Sequence, residues 1–360
     1  MKPVDATDFS LAPFILIWEV TQACALSCQH CRAEAMDRRA PGELSLEEGK
    51  RLIDGTAEMG TRIMVLSGGD PLQRDDLEEL IRHGKSRGLR MGTIPAATPR
   101  LTRERVLALQ EAGLDQMALS LDGATAASHD AFRKVEGSFE RTLAGAGFAR
   151  EAGIPLQVNT CFGRWNAGEF EGIAALVESL GVVFWEVFFL VPVGRGRDLG
   201  GLDAAGYEAV FAKLHTLQKR VGFIVKITEA PHYRRFVVEQ EGASRGERVK
   251  DLLARPSGPR GSMGMAPQAV NAGKGFCFVS HTGEVMPSGY LPVAVGNART
   301  QPLAGLYRDS ILFKALRDPA RLKGRCGRCR SRELCGGSRS RAFALTGDPF
   351  AEEPCCRFEP

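Results

Sequence analysis

The sequence predicts an α/β fold in which helices cover a parallel sheet, and three observations predict it. Apolar runs of strand length recur between helical patterns, and those helical patterns carry start or stop signals. The residues with chemical character, Cys24, Gly68, Pro95, Asp122, Asn159 and Pro192, fall at or just beyond the strand ends. That is the edge where parallel α/β folds carry their chemistry. The runs are continuously apolar, as strands buried on both faces are.

The first strand is expected at residues 14–20. Ser45-Leu46-Glu47-Glu48 follows as a capping box, with Ser45 capping a helix and Glu48 reaching back to it. Strands are expected at 63–67 and 89–94, then a helix that Thr102 opens and that stops before Gly113. The fourth strand is 117–121. A helix ending at Gly153 leads to a strand at 156–160, and one ending at Gly181 leads to a strand at 182–190. Six such units form either an open sheet or a partial barrel, and periodicity does not choose between them. An amphipathic helix at 203–220 and a strand at 223–228 follow. Residues 257–275, rich in Gly, Pro and Ser, read as a flexible linker or lid, and 275–288 as a β-hairpin turning at Thr282-Gly283.

Composition bounds the reading. The 360 residues allow one large domain plus a smaller one, and a hydrophobic content of 44% supports a proper core. No apolar stretch approaches the roughly 20 residues that a membrane span needs. The N-terminus lacks the layout of a secretory signal, and ten cysteines without an export signal argue for metal binding rather than disulfides. The expected compartment is the cytoplasm, with no membrane partner. Net charge is +4, but nine basic residues stand between Arg317 and Arg341 against Asp318 and Glu333. Such a run suits a solvated face, a nucleic-acid surface, or a face beside an anionic cluster where an acidic electron donor docks.

The most informative motif is Cys24-x3-Cys28-x2-Cys31, just past the first strand. If the turn is even loosely helical, these offsets put the three sulfurs on one face. Three thiolates hold three irons of a [4Fe–4S] cluster and leave the fourth iron open. Buried core cysteines, or a zinc site completed by His30, are the competing readings. The second strand ends in Ser67-Gly68-Gly69-Asp70-Pro71, where glycines admit close backbone approach and the acid can accept from an ammonium. The fourth ends in Ser120-Leu121-Asp122-Gly123, with Arg133 beyond, and the fifth carries Asn159. After the 223–228 strand stands a polar set, Glu229, His232, Tyr233, Arg234 and Arg235, placed where a substrate could sit.

Together these motifs resemble the radical S-adenosylmethionine (SAM) superfamily. The resemblance implies a partial (β/α)6 barrel over residues 10–230, a helix and linker over 231–275, and a small iron–sulfur domain over 276–360. It implies that Cys24, Cys28 and Cys31 hold a [4Fe–4S] cluster to which SAM binds. Gly68, Gly69 and Asp70 would hold the methionine amino group, although Glu is more usual than Asp at the last position. Ser120 and Asn159 would contact the ribose, and Arg133 the carboxylate. Backbone near 190–193 would meet the adenine.

The C-terminal cysteines resemble the SPASM extension of such enzymes. Its outer cluster set survives as Cys326, Cys329, Cys335 and a last cysteine, for which Cys356 fits the acid-Pro-x-Cys ending better than Cys355. The inner set does not survive, since Ser288 replaces the partner of Cys277. One auxiliary cluster, hence two clusters per chain, is expected, with a four-cysteine zinc site as the alternative. The resemblance implies reductive cleavage of SAM to a 5′-deoxyadenosyl radical, hydrogen abstraction from a substrate, and a low-potential donor such as ferredoxin or flavodoxin. The segment around His30-Cys31-Arg32 and the ending from Cys335 to Asp348 look closest to haem and haem d1 biosynthesis enzymes, which act on acidic side chains of tetrapyrroles. Maturation of a ribosomal peptide is the rival enzymatic reading, disfavoured by the short lead before Phe14. A non-enzymatic iron–sulfur or zinc sensor of nucleic acid is the third, disfavoured because it needs no SAM pocket.

Overall fold

The computed structural model describes residues 7–241 and 269–360. The expected linker lies outside the described residues except for 269–275. Seven strands lie side by side in chain order, all parallel: β1 (Ile15–Glu19), β2 (Ile63–Ser67), β3 (Arg90–Thr93), β4 (Gln116–Ser120), β5 (Leu156–Phe162), β6 (Phe184–Phe189) and β7 (Ile224–Thr228). Between them run α1 (Leu46–Glu58), α2 (Leu77–Ser86), α3 (Arg103–Glu111), α4 (Ala126–Arg133), α5 (Ser138–Glu151), α6 (Phe170–Ser179) and α7 (Ala204–Gln218). The Ser45 capping box forms as its sequence dictates, and Thr102 and Asp203 cap α3 and α7 through their side chains.

Strand alternation shows how the sheet is used. Leu16, Trp18, Met64, Leu66, Met91, Met117, Leu119, Val158, Trp185, Val187 and Val225 belong to the main core with the helices. Each such side chain, fully buried, contributes about 1.5–3 kcal/mol. Their neighbours Ile15, Ile63, Val65, Ala118, Gln157, Asn159, Glu186 and Lys226 line one cavity on the other face. A single cavity walled by all seven strands requires the sheet to curl around it. The sheet nonetheless stays open, since β7 forms one end and the short strand Gly296–Asn297 the other. The choice that periodicity left open is thus settled as a partial barrel.

The chain continues through α8 (Tyr233–Gln240), β8 (Phe276–Val279), β9 (Glu284–Met286) and β10 (Gly296–Asn297). Four short helices follow: α9 (Leu303–Asp309), α10 (Ile311–Arg317), α11 (Gly324–Arg328) and α12 (Arg339–Thr346). The expected hairpin is present as β8–β9, and β8 also pairs in parallel with β1, from Ile15↔Phe276 to Trp18↔Val279. Cys277 faces Leu16 in that register and is packed in the main core.

Glu19, at the end of β1, fastens this junction. Its carboxylate pairs with Arg32 at 3.2 Å and with His281 Nδ1 at 2.9 Å. The hydrogen bond that His281 donates to the Glu19 carboxylate raises the His281 pKa above its ordinary value. A raised folded-state pKa gives stability that is full below the unfolded value and lost as pH rises through the folded one. Stability should therefore fall as pH rises from the mid-sixes upward, and His281→Gln should remove that part of the slope. Equilibrium urea unfolding across the range checks this, and an unchanged slope in the variant would contradict it.

Candidate active site

The three cysteines of the first motif lie on the loop between β1 and α1, which is irregular rather than helical. Cys24, Cys28 and Cys31 nevertheless all border the large cavity, of about 480 Å3. The loop is held in place by Cys24 N–H donating to Met36 O at 2.7 Å and by Arg195, which donates to Cys28 O at 3.1 Å and Ala35 O at 3.0 Å. Cys24 Sγ accepts from Leu26 N–H at 3.3 Å, and Cys28 Sγ from Arg133 at 3.4 Å. Burial pushes the Cys24 thiol up to about 12. A thiol so placed ionises only when a cationic partner such as iron compensates it.

Gly68 and Gly69 press against this loop. A Cβ at Gly68 would lie 2.5 Å from Thr21 O, and one at Gly69 2.4 Å from Ala23 O. Close backbone approach is thus demanded by the cysteine loop itself, and both glycines also line the cavity. Asp70 is placed differently from expectation. Its carboxylate is buried and accepts from Leu72 N–H at 3.2 Å, Ala96 N–H at 3.2 Å and Thr98 Oγ1 at 2.7 Å. Burial raises its pKa against the pull of these bonds. Asp70 is therefore already committed to bracing the turns after β2 and β3.

Ser120 and Asn159 stand beside one another across β4 and β5 and both line the cavity. Arg133 also lines it, but forms a buried ion pair with Asp122. Burial works to raise the Asp122 pKa, and the Arg133 charge, joined by His30, His129 and the Cys161 N–H, outweighs it, so the carboxyl stays below the usual range. Around the cysteine end, the buried atoms His30 Nδ1, Arg133 Nε and Arg195 Nη2 have no partner among the described residues. Burial pulls the His30 imidazole down to about 4, so the ring is neutral, stacked on Phe132 with centroids 4.8 Å apart. Two cationic donors and an imidazole around three cysteines fit an anionic group and a ligand carboxylate there. His30 and Arg195 were not expected in this role. Their signal was the proximity of His30 to Cys31 and the Gly-Arg-Gly stretch after β6.

Farther along the wall, Gln116, Gln157, Asn159, Glu186, Lys226 and Thr228 form a polar ladder. Gln157 bridges Asn159 at 2.7 Å and Glu186 at 2.9 Å, and Lys226 pairs with Glu186 at 2.7 Å. The expected substrate set divides. Glu229, Tyr233 and Arg234 line the large cavity, whereas His232 and Arg235 do not. Successive helical residues rotate by about 100°, so consecutive positions at a helix start cannot all face one site. Glu229 sits at φ 58°, its carboxylate accepting from Ser338 at 2.5 Å and Ser340 at 2.9 Å.

The C-terminal cysteines Cys326, Cys329, Cys335 and Cys356 border a separate small cavity, of about 30 Å3. Cys326, Cys329 and Cys335 accept backbone N–H bonds at 3.3–3.4 Å from Glu353, Ser331 and Gly337. Cys355 points elsewhere, toward Leu202 O at 3.9 Å. A side chain at Gly337 (φ 64°) would come within 3.4 Å of Cys326 Sγ. The basic run divides: Arg317, Arg339 and Arg341 donate to backbone carbonyls and Arg325 pairs with Glu352 and Glu359, whereas Arg321, Lys323, Arg328, Arg330 and Arg332 are exposed.

Residues 18–177 match the sequence profile of the Radical SAM superfamily. Similarity extends over almost the whole chain to curated relatives. The AdoMet-dependent heme synthase of Methanosarcina barkeri is 41% identical over 97% of this chain and 97% of its own. That of Nitratidesulfovibrio vulgaris is 40% identical over 96% and 92%. The chain belongs to the radical SAM superfamily. Among solved structures, Streptococcus suis SuiB bound to S-adenosylmethionine matches with a TM-score of 0.74 at 14% identity, over 97% of this chain and 78% of its own. The protein is thus a radical SAM enzyme, with a [4Fe–4S] cluster and SAM as cofactors and a requirement for a reductant. Among the described residues, no helix is long and apolar enough to cross a membrane.

Proposed function

We propose that this enzyme modifies or decarboxylates an acidic side chain of an anionic tetrapyrrole in haem-type biosynthesis. The observation that carries the proposal is the near full-length similarity to AdoMet-dependent heme synthases, at 40 and 41% identity. The cavity supports it. At about 480 Å3 it falls within the size range of small-molecule sites. Arg234 borders it, half-buried, donating to Leu334 O at 3.2 Å and Val270 O at 3.1 Å, with no carboxylate partner among the described residues. A half-buried cation without a carboxylate counter-charge favours an anionic ligand.

Cys24, Cys28 and Cys31 would hold the catalytic cluster, with Gly68, Gly69, Ser120, Asn159 and Arg133 around SAM. Asp70 acts in this reading by shaping the glycine turn. Bound there, a reduced [4Fe–4S] cluster and SAM would supply the one-electron chemistry for hydrogen abstraction from a substrate carbon. The chain's own part is positional. His30, Arg133 and Arg195 neutralise and orient anionic groups at the cysteine end, while Arg234 draws a substrate carboxylate toward the opposite wall. The curled apolar face of β1–β3 keeps water from the reacting carbon. We further assign Cys326, Cys329, Cys335 and Cys356 to a second [4Fe–4S] cluster in a SPASM-like domain over 276–360. Ferredoxin or flavodoxin in the cytoplasm would be the donor.

Arg234→Ala should weaken binding of a carboxylated iron porphyrin about tenfold or more, as loss of one charge-assisted hydrogen bond implies. Titration of tight-binding porphyrin absorbance checks this. Equal affinity of the variant, or equal binding of the fully esterified porphyrin to wild type, would contradict the anionic-substrate reading.

A further inference from the structure

The first turn of α8 separates two cavities. Tyr233 and Arg234 face the large one, whereas His232 and Arg235 border the small one beside Cys326, Cys329, Cys335 and Cys356. His232 is fully buried, its ring packed against Tyr207 and Phe211 with centroids 5.1 and 5.0 Å away. Among the described residues, neither of its ring nitrogens has a hydrogen-bond partner. Arg235 pairs through its terminal nitrogens with Glu208 and Glu239, while its Nε is buried and unpartnered. Each buried polar group left unpaired costs about 1–3 kcal/mol, and native proteins pair the great majority of them. Here unpaired nitrogens of two residues converge on one small cavity walled by four cysteines. Among the described residues nothing accepts from them, and an acceptor inside that cavity would satisfy them.

We propose that His232 donates a ring N–H to the auxiliary [4Fe–4S] cluster, with Arg235 Nε as a second donor, and that the pair raises the cluster's reduction potential. The proposal rests on the assignment of a second cluster made above. A hydrogen bond to cluster sulfur stabilises the more negative, reduced state, which makes the cluster easier to reduce. An imidazole carries at least one N–H in either protonation state, so the donor is always present. Placement on the same helical turn as Arg234 puts this donor pair directly behind the substrate cavity.

The test uses reconstituted holoenzyme in an EPR-monitored redox titration of wild type, His232→Leu and His232→Gln. His232→Leu should make one cluster harder to reduce by about tenfold in its one-electron equilibrium, ~59 mV. The other cluster should be unmoved, and His232→Gln, which retains an N–H, should recover much of the shift. Two clusters with unchanged potentials in His232→Leu would overturn the inference while leaving the second cluster intact. A wild-type iron content of about four per chain would instead remove the second cluster itself. Should the leucine variant fail to fold, protein labelled with 15N-histidine decides. In a Cys24/Cys28/Cys31→Ala background, pulsed EPR of the remaining cluster should show an imidazole nitrogen coupling. Its absence would overturn the proposal.

Discussion

Replacing Cys24, Cys28 and Cys31 together with Ala should lower iron from about eight to about four per chain and abolish release of 5′-deoxyadenosine. These three residues converge on one cavity although the loop carrying them is irregular. No other cysteine set shares that cavity with Gly68, Gly69, Ser120 and Asn159 among the described residues, Cys161 standing alone on its wall. Cys28→Ala alone should abolish cleavage, because an iron lost from the cluster also removes its open site. Metal analysis for iron and zinc, with mass spectrometry of reduced reactions containing SAM, checks both. Full turnover by Cys28→Ala would contradict the assignment, and about four irons with stoichiometric zinc in wild type would reassign the C-terminal set.

Arg341→Met should cost about 3–5 kcal/mol of stability, the usual result of removing one partner from a buried ion pair. Arg341 is buried at 1% exposure and pairs with Glu353 at 3.2 Å. It also donates to Leu190 O at 3.2 Å and Glu229 O at 2.6 Å, with its guanidinium over Tyr207 at 5.0 Å. One side chain therefore ties the ends of β6 and β7 to the segment that bears Cys355 and Cys356. Pairing the change with Glu353→Gln in a double-mutant cycle should recover part of the loss, since no unpaired charge then stays buried. Urea unfolding of the four proteins measures this, and a loss under about 1 kcal/mol for Arg341→Met would contradict the role.

What the sequence made legible follows from locality. The Ser45 capping box and the start of α3 at Thr102 are each encoded within a few residues, and the structure carries both as expected. The parallel strands appeared at the expected places because their apolar runs are continuous on the core side. The helix α2 escaped because its N-terminal Asp76 makes no side-chain cap bond. Long-range pairings were equally hidden. Arg133 reaches Cys28 across 105 residues, and Asp70 is held by Thr98 from the next strand's loop. Reading Asp70 as a direct ligand contact followed its neighbours in the chain, whereas its partners were set by the sheet. The division of Glu229, Tyr233 and Arg234 from His232 and Arg235 likewise needed the helical rotation of α8. Within the basic run, Arg317, Arg339 and Arg341 are internal ties while Arg321, Lys323, Arg328, Arg330 and Arg332 stay exposed, a division hidden because carbonyl acceptors leave no pattern in a sequence.

The central claim is that a radical generated at the cysteine end of the cavity acts on a carboxylate-bearing tetrapyrrole held at the other. Its most direct test is anaerobic incubation of the reduced, reconstituted protein with SAM and a carboxylated iron porphyrin, with both nucleoside and porphyrin followed by mass spectrometry. The account predicts that the porphyrin accelerates 5′-deoxyadenosine release and is itself converted to a product altered at, or lacking, an acidic side chain. Unchanged porphyrin and unaccelerated cleavage, with a small peptide stimulating release instead, would contradict it.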